Sequence, residues 1–113
     1  MNARVKITLP VRHTWATVWA RRVIVAGRPA YLHHTLGEQW NGAILIRRSW
    51  TVTDGASAHR YGLPSPTPAA ALAAARRRAR RAGPQRMRIL VQEATQLRRR
   101  EISDFRGVVE IPA

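Results

Sequence analysis

The stretch TPAAALAAARRRARRAGP, Thr67 to Pro84, constrains this chain more than any other because it carries both ends of a helix in its own residues. Thr67 can cap the first free amides, and Pro68 suits the first helical position, where its missing N–H costs nothing. Gly83 can take the left-handed conformation that ends a helix, and Pro84 cannot continue one. At about 100° per residue, Leu72, Ala75, Ala79 and Ala82 form one narrow stripe. Arg76, Arg77, Arg80 and Arg81 span the opposite side, and Arg78 flanks them. Small alanines let such a helix lie close against a sheet, with its arginines pointing away.

The fold alone accounts for part of that arginine run. Cations in the last turns are favoured by the helix dipole, by roughly 0.3–1 kcal/mol each, and an amphipathic helix needs a polar outer face. Mixtures of glutamate and lysine usually fill that role. Here no acid occurs between Asp54 and Glu93, while bases recur at Arg86, Arg88, Arg98, Arg99 and Arg100. Close cations repel one another, so helix stability would not select the run, whereas a polyanion would offset the repulsion. The whole chain repeats the imbalance: 20 Lys and Arg against 6 Asp and Glu leave +14, and every base except Lys6 is arginine. A GC-rich genome explains arginine in place of lysine but not the excess of bases over acids. So positive a field attracts nucleic acid first, and an acidic protein or anionic membrane after it.

A hydrophobic fraction of 45% with four tryptophans across 113 residues predicts one folded domain, residues 1–113. RVKITLP alternates as a half-buried strand, Val5, Ile7 and Leu9 inward, that Pro10 should end. HTWATVWARRVIVAGRP has helical spacing at Trp15, Val18, Trp19, Arg22 and Val23, but its β-branched and aromatic content favours strands at Ala16 to Val25 and Ala30 to His34. TLGEQWNG reads as a loop broken at Gly37 and Asn41-Gly42. AILIRRSWTVTDGASAHRYGL reads as a β-hairpin, with Ile44, Ile46, Arg48, Trp50 and Val52 on its buried face and a positive-φ turn at Asp54-Gly55. Its return strand is expected near Ala58 to Leu63. After Pro84, Met87, Leu90, Val91, Ala94 and Leu97 suit a second helix, although RMRILVQ alone is also compatible with a strand. GVVEIP should close the chain as an edge strand. The expected architecture is α+β: a small, mostly antiparallel sheet of four to six strands packed by one or two helices.

The residues do not suggest catalysis. His33 and His34 are adjacent and would point to opposite faces of a strand, and His13 and His59 lie at no ligand spacing from them. Glu38, Asp54, Glu93, Glu101, Asp104 and Glu110 are scattered; Asp54 is accounted for by the turn, Glu93 and Glu101 by charge balance. No glycine-rich phosphate loop, nucleophile elbow or zinc motif is present. We expect neither an enzyme nor a cofactor nor a metal site. The absence of cysteine removes disulfides and thiolate sites, and fits a cytoplasmic protein. No apolar run approaches the roughly 20 residues of a membrane span, and an alanine-faced basic helix lacks the bulky anchors of a membrane-surface helix.

If the hairpin packs under the helix, Arg47, Ser49 and Thr51 are displayed on the open face of the sheet, within reach of phosphates or base edges. Residues 44–82 resemble the arm-type DNA-binding domain of tyrosine recombinases (integrases). The resemblance is carried by Trp50 on a strand, the Asp54-Gly55 turn, Arg60 on the return strand, and Thr67 before Ala70 and Ala71. It implies a short sheet followed by a helix, with the sheet facing DNA. The pattern also looks like the second half of double-stranded-RNA-binding domains, and like small phage and actinobacterial proteins. The recombinase catalytic domain is missing, and the N-terminal third has no counterpart in that module. The expected function is therefore a small basic nucleic-acid-binding protein, for DNA or RNA. Its phosphate contacts are expected from Arg76, Arg77, Arg78, Arg80 and Arg81, aided by Arg47 and Arg60. The alternative is a non-enzymatic interaction or structural component of phage or mobile-element type, docking on an acidic partner surface. Four tryptophans support that alternative, because aromatics and arginine are enriched at protein interfaces.

Overall fold

A computed structural model describes residues 4–11, 14–38, 43–55, 57, 60–102 and 108–110. Four strands form an antiparallel sheet in chain order: β1 (Arg4–Val11), β2 (Thr14–Val25), β3 (Arg28–Glu38) and β4 (Ile44–Asp54). One long helical element, α1 (Pro68–Ile102), packs on the sheet, and a short β5 (Val108–Glu110) pairs in parallel with β2. The protein is thus α+β.

In β1 the alternation places Leu9 inward and leaves Arg4, Lys6 and Thr8 exposed, as expected. Pro10 does not end the strand: it pairs with Trp15, and Val11 with Thr14. Among the described strands β1 bonds only to β2, and an edge strand tolerates a residue without an N–H. The 14–25 segment is a strand throughout. It turns into β3 through Ala26 and Gly27, which both have positive φ (51° and 74°), the pattern of a type I′ hairpin turn. β3 runs on to Glu38, so the loop expected from Thr35 begins later; Trp40 and Asn41-Gly42 lie outside the described residues.

The sheet buries different faces along its length. In β2, Ala16, Val18 and Ala20 are buried, whereas further on Val25 is buried and Ile24 is 52% exposed. The first half packs with Leu9 and Leu36, joined by Ile7 and Ile44. The second half belongs to a core of Val25, Ala30, Leu32, Val52, Tyr61 and the helix. This division follows from pairing: β3 bonds to β2 only over 21–25, while 15–17 of β2 pair with β5. Beyond an irregularity between His34 and Leu36, the far ends of β3 and β4 bring Leu36 and Ile44 to the β1–β2 cluster. The single buried face expected for β4 is therefore wrong. Trp50 and Val52 pack under the helix, but Ile44 joins the other cluster and Ile46 is 45% exposed.

The opposite face of β4 is corrected as well. Thr51, expected in the open, is buried together with Thr53, Thr35 and His33. These groups bond to one another: Ser49 Oγ donates to Thr35 Oγ1 at 3.0 Å, and the Thr35 and Thr51 hydroxyls share a bond of 2.6 Å. The His33 Nδ1–H donates to the His34 carbonyl at 2.7 Å, so Nε2 accepts from the Thr53 hydroxyl at 2.8 Å. His34 is exposed and stacks on Trp50 with ring centroids 3.8 Å apart.

The helix starts as its caps predict, with the Ala70 amide donating to Thr67 Oγ1 at 3.1 Å and the Ala71 amide to the Thr67 carbonyl at 3.0 Å. Gly83 breaks it, at φ 77° and ψ 165°, and Pro84 begins a second helical stretch that runs to Ile102. The stripe against the sheet is Ala71, Ala75 and Ala79 at full burial, with Leu72 and Ala82 at its margin. Met87, Leu90 and Val91 continue it past the break, which settles the 86–92 segment as helix. The side chains of Ala94, Leu97, Arg98, Arg99 and Arg100 lie outside the description.

Burial lowers the His33 pKa to about 4, with the nearby Arg60 charge acting in the same direction. The fold thus favours neutral His33. Its contribution is complete above about pH 6.5 and is lost as pH falls toward 4, where the unfolded chain binds a proton that the folded chain refuses. Unfolding free energy should drop by about 3 kcal/mol over that interval. In His33→Gln this loss should vanish; denaturant melts at pH 7, 5.5 and 4 measure it, and an unchanged loss would place the titration elsewhere.

Candidate nucleic-acid interface

The site is assembled around a buried carboxylate. Asp54, at the end of β4, is 1% exposed. Arg28 at the start of β3 grips it with two bonds, Nε to Oδ1 at 2.9 Å and Nη2 to Oδ2 at 3.1 Å. The Tyr61 hydroxyl donates to Oδ1 at 3.1 Å, and Ser57 donates its amide and its hydroxyl to Oδ2 at 3.0 and 2.9 Å. Burial on its own would raise the Asp54 pKa, but these donors outweigh it and hold the carboxyl near 2. Burial pushes the Tyr61 phenol up to about 12, and the adjacent carboxylate adds to the shift. Asp54 is therefore the anchor of a loop and not a turn residue alone. Gly55 has no positive φ; it is small because an added Cβ would stand 3.0 Å from the Pro29 carbonyl oxygen.

From this anchor the chain crosses back over β4 without forming the expected return strand. It makes two isolated bridges, Thr53 with Arg60 and Trp50 with Ser65. The Tyr61 amide donates to the Val52 carbonyl at 2.9 Å; Ser65 and Trp50 exchange two backbone bonds of 2.7 and 2.9 Å. Ala58 and His59, where that strand would begin, lie outside the described residues. Between the two tethers, Gly62, Leu63 and Pro64 stand out from the sheet and face the flank of the helix.

A groove of 670 Å³ lies between them. Gly62, Leu63, Pro64 and Ser65 line one side, and Ala74, Arg77, Arg78, Arg81, Ala82, Arg86 and Leu90 the other. Four arginines thus line a single cleft with no acid among its lining residues. The Arg78 stem passes close to Gly62, where a Cβ would sit 3.6 Å from its Cδ. Among the described residues none of these four arginines has a carboxylate partner.

The arginines expected to share one face are divided by the helix. Arg77, Arg78 and Arg81 enter this groove. Arg76 reaches the other way, its Nε and Nη2 both 3.4 Å from the Ile24 carbonyl oxygen. Arg80 lines a second hollow, of 480 Å³, with Arg28, Arg88 and an apolar floor that includes Ala79, Met87 and Val91. Arg47 lies over Gly37 on the β3–β4 side, and Arg60 stands near His33; neither lines the groove. Arg86, which is not among the arginines expected from the sequence to contact phosphate, joins the groove, and the 62–65 wall was not expected at all. The available signal was a lone leucine between glycine and proline, just ahead of the helix cap.

The chain matches no protein-family model, no curated protein and no solved structure. Among the described residues no three His, Asp or Glu side chains come together in a metal-binding group, and no helix is long and apolar enough to cross a membrane.

Removing the Asp54 charge should loosen both the sheet end and the groove wall. Asp54→Asn should cost about 3 kcal/mol in a urea melt, since the amide carries no charge to answer Arg28 and turns one of the two accepting oxygens into a donor that faces other donors. Because the folded pKa is depressed, this contribution is present above about pH 4 in the wild type and disappears as pH falls through 2. The variant should lack that acid-side loss; a variant as stable as wild type would contradict the anchoring role.

Proposed function

We propose that this chain is a small, non-enzymatic nucleic-acid-binding protein that holds backbone phosphates in the groove between the 62–65 loop and α1. The observation that carries this reading is the convergence of Arg77, Arg78, Arg81 and Arg86 on one cleft whose lining holds no acid. Like charges about 6 Å apart repel by roughly 0.7 kcal/mol in water and more near a protein surface. A chain stabilised by its surface would interleave glutamates there; a polyanion supplies the missing charge from outside. Duplex nucleic acid suits the arrangement, presenting a charge about every 1.7 Å of its axis to guanidiniums that bind phosphate in bidentate fashion. Arg76 and Arg80, on the other flank, and Arg47 and Arg60, off the groove, are assigned at most to flanking phosphates.

Salt dependence tests the assignment. On duplex DNA, log affinity should fall with log salt by about 0.9 for each phosphate contacted. The double variant Arg77→Gln, Arg81→Gln should flatten that slope by nearly 2 and weaken binding at low salt. An unchanged slope removes the groove from the interface. Tight binding of an acidic protein, with little affinity for DNA or RNA at equal salt, would favour the interaction-component reading.

A further inference from the structure

Among the described residues Leu63 is 87% exposed, while the next most exposed large apolar side chains, Ile24 and Ile89, reach 52%. Exposure of one leucine is ordinary; its mounting and its neighbours are not. Gly62 precedes it at φ 87°, a conformation that L side chains rarely adopt, and Pro64 follows it and fixes its own φ. One residue further out on each side, Tyr61 and Ser65 are hydrogen-bonded to the backbone of β4. Leu63 is thus the tip of a three-residue projection tethered at both ends, and ordering it on a partner costs little entropy. The same projection forms one wall of the four-arginine groove. A partner that fills this site offers anions to one wall and an apolar surface to the other. A base-pair step has both, with phosphates on its outside and stacked ring faces within.

We propose that Leu63 is a wedge that enters between neighbouring base pairs of duplex DNA while the groove arginines hold the flanking phosphates. This rests on the nucleic-acid reading above and adds to it a mode of binding. Apolar wedges beside arginines unstack a step and kink a duplex by some 20–90°, and a leucine has the bulk for it. Single strands are held instead on aromatic platforms, which this tip lacks. The inserted side chain exchanges water for base faces, so the kink and part of the affinity depend on it, while the count of phosphates does not.

The test uses a short duplex containing a flexible TA step, labelled at both ends for energy transfer and carrying 2-aminopurine at the step. The wild-type chain should shorten the end-to-end distance and raise the 2-aminopurine emission. Leu63→Ala, at so exposed a position, should fold normally, weaken binding by about tenfold, abolish both optical signals and leave the salt slope unchanged. Leu63→Phe should restore the bend. A wild-type complex with a steep salt slope and a straight duplex would overturn the wedge while leaving the phosphate reading intact. A bend that persists in Leu63→Ala would overturn it too. Absence of duplex binding at low salt would overturn both, and Leu63-dependent binding of an acidic protein in its place would identify a different partner.

Discussion

A single buried carboxylate ties the parts of this protein together. Asp54 takes two hydrogen bonds from Arg28, one from Tyr61 and two from Ser57, and so joins the start of β3, the end of β4 and the loop that follows. A buried charge with so many donors is costly to expose and costly to leave half-satisfied, which makes the arrangement all-or-none. Tyr61 belongs to the core under the alanines of α1, so the same carboxylate also sets the loop that faces the helix. The groove between loop and helix inherits its width from this junction.

The second constraint is the alanine stripe. Ala71, Ala75 and Ala79 are buried with almost no side chain to spare, so the helix axis lies close to β3 and β4 and its flanks lie low over the sheet. Arginines that would stand free on a helix held further out are thereby brought level with neighbouring loops. Arg78 and Arg81 meet the 62–65 wall on one flank, and Arg80 meets the β2–β3 turn on the other. The break at Gly83 redirects the helix so that Met87, Leu90 and Val91 keep covering the same core, and Arg86 falls on the groove side.

What was legible beforehand is what depends on neighbours in sequence. Thr67, Pro68, Gly83 and Pro84 act within one turn of the chain, and their effects are as expected. The alternation of β1 was equally plain. The alternation of β4 misled because a register irregularity and the separation of β3 from β2 exchange which face is buried, and neither leaves a local mark. Arg28 and Asp54 are 26 residues apart, so their pairing was invisible, and Asp54 passed for a turn residue. The groove was half legible: its arginines announced themselves by the lack of acids, but their division between two flanks depends on what stands beside the helix. The opposite wall, Gly62 to Ser65, belongs to a segment whose position is set by the Asp54 junction.

On the proposed reading the groove, and not the rest of a basic surface, meets the polyanion. The most direct measurement is a titration of the isotope-labelled protein with a short duplex, followed by NMR on backbone amides and arginine Nε–H groups. The largest changes should gather at Gly62, Leu63, Arg77, Arg78, Arg81 and Arg86 and saturate together. Changes confined to Arg4, Lys6 and Arg21 on the β1–β2 surface, or to Arg80 and Arg88, with the groove resonances unmoved, would contradict it.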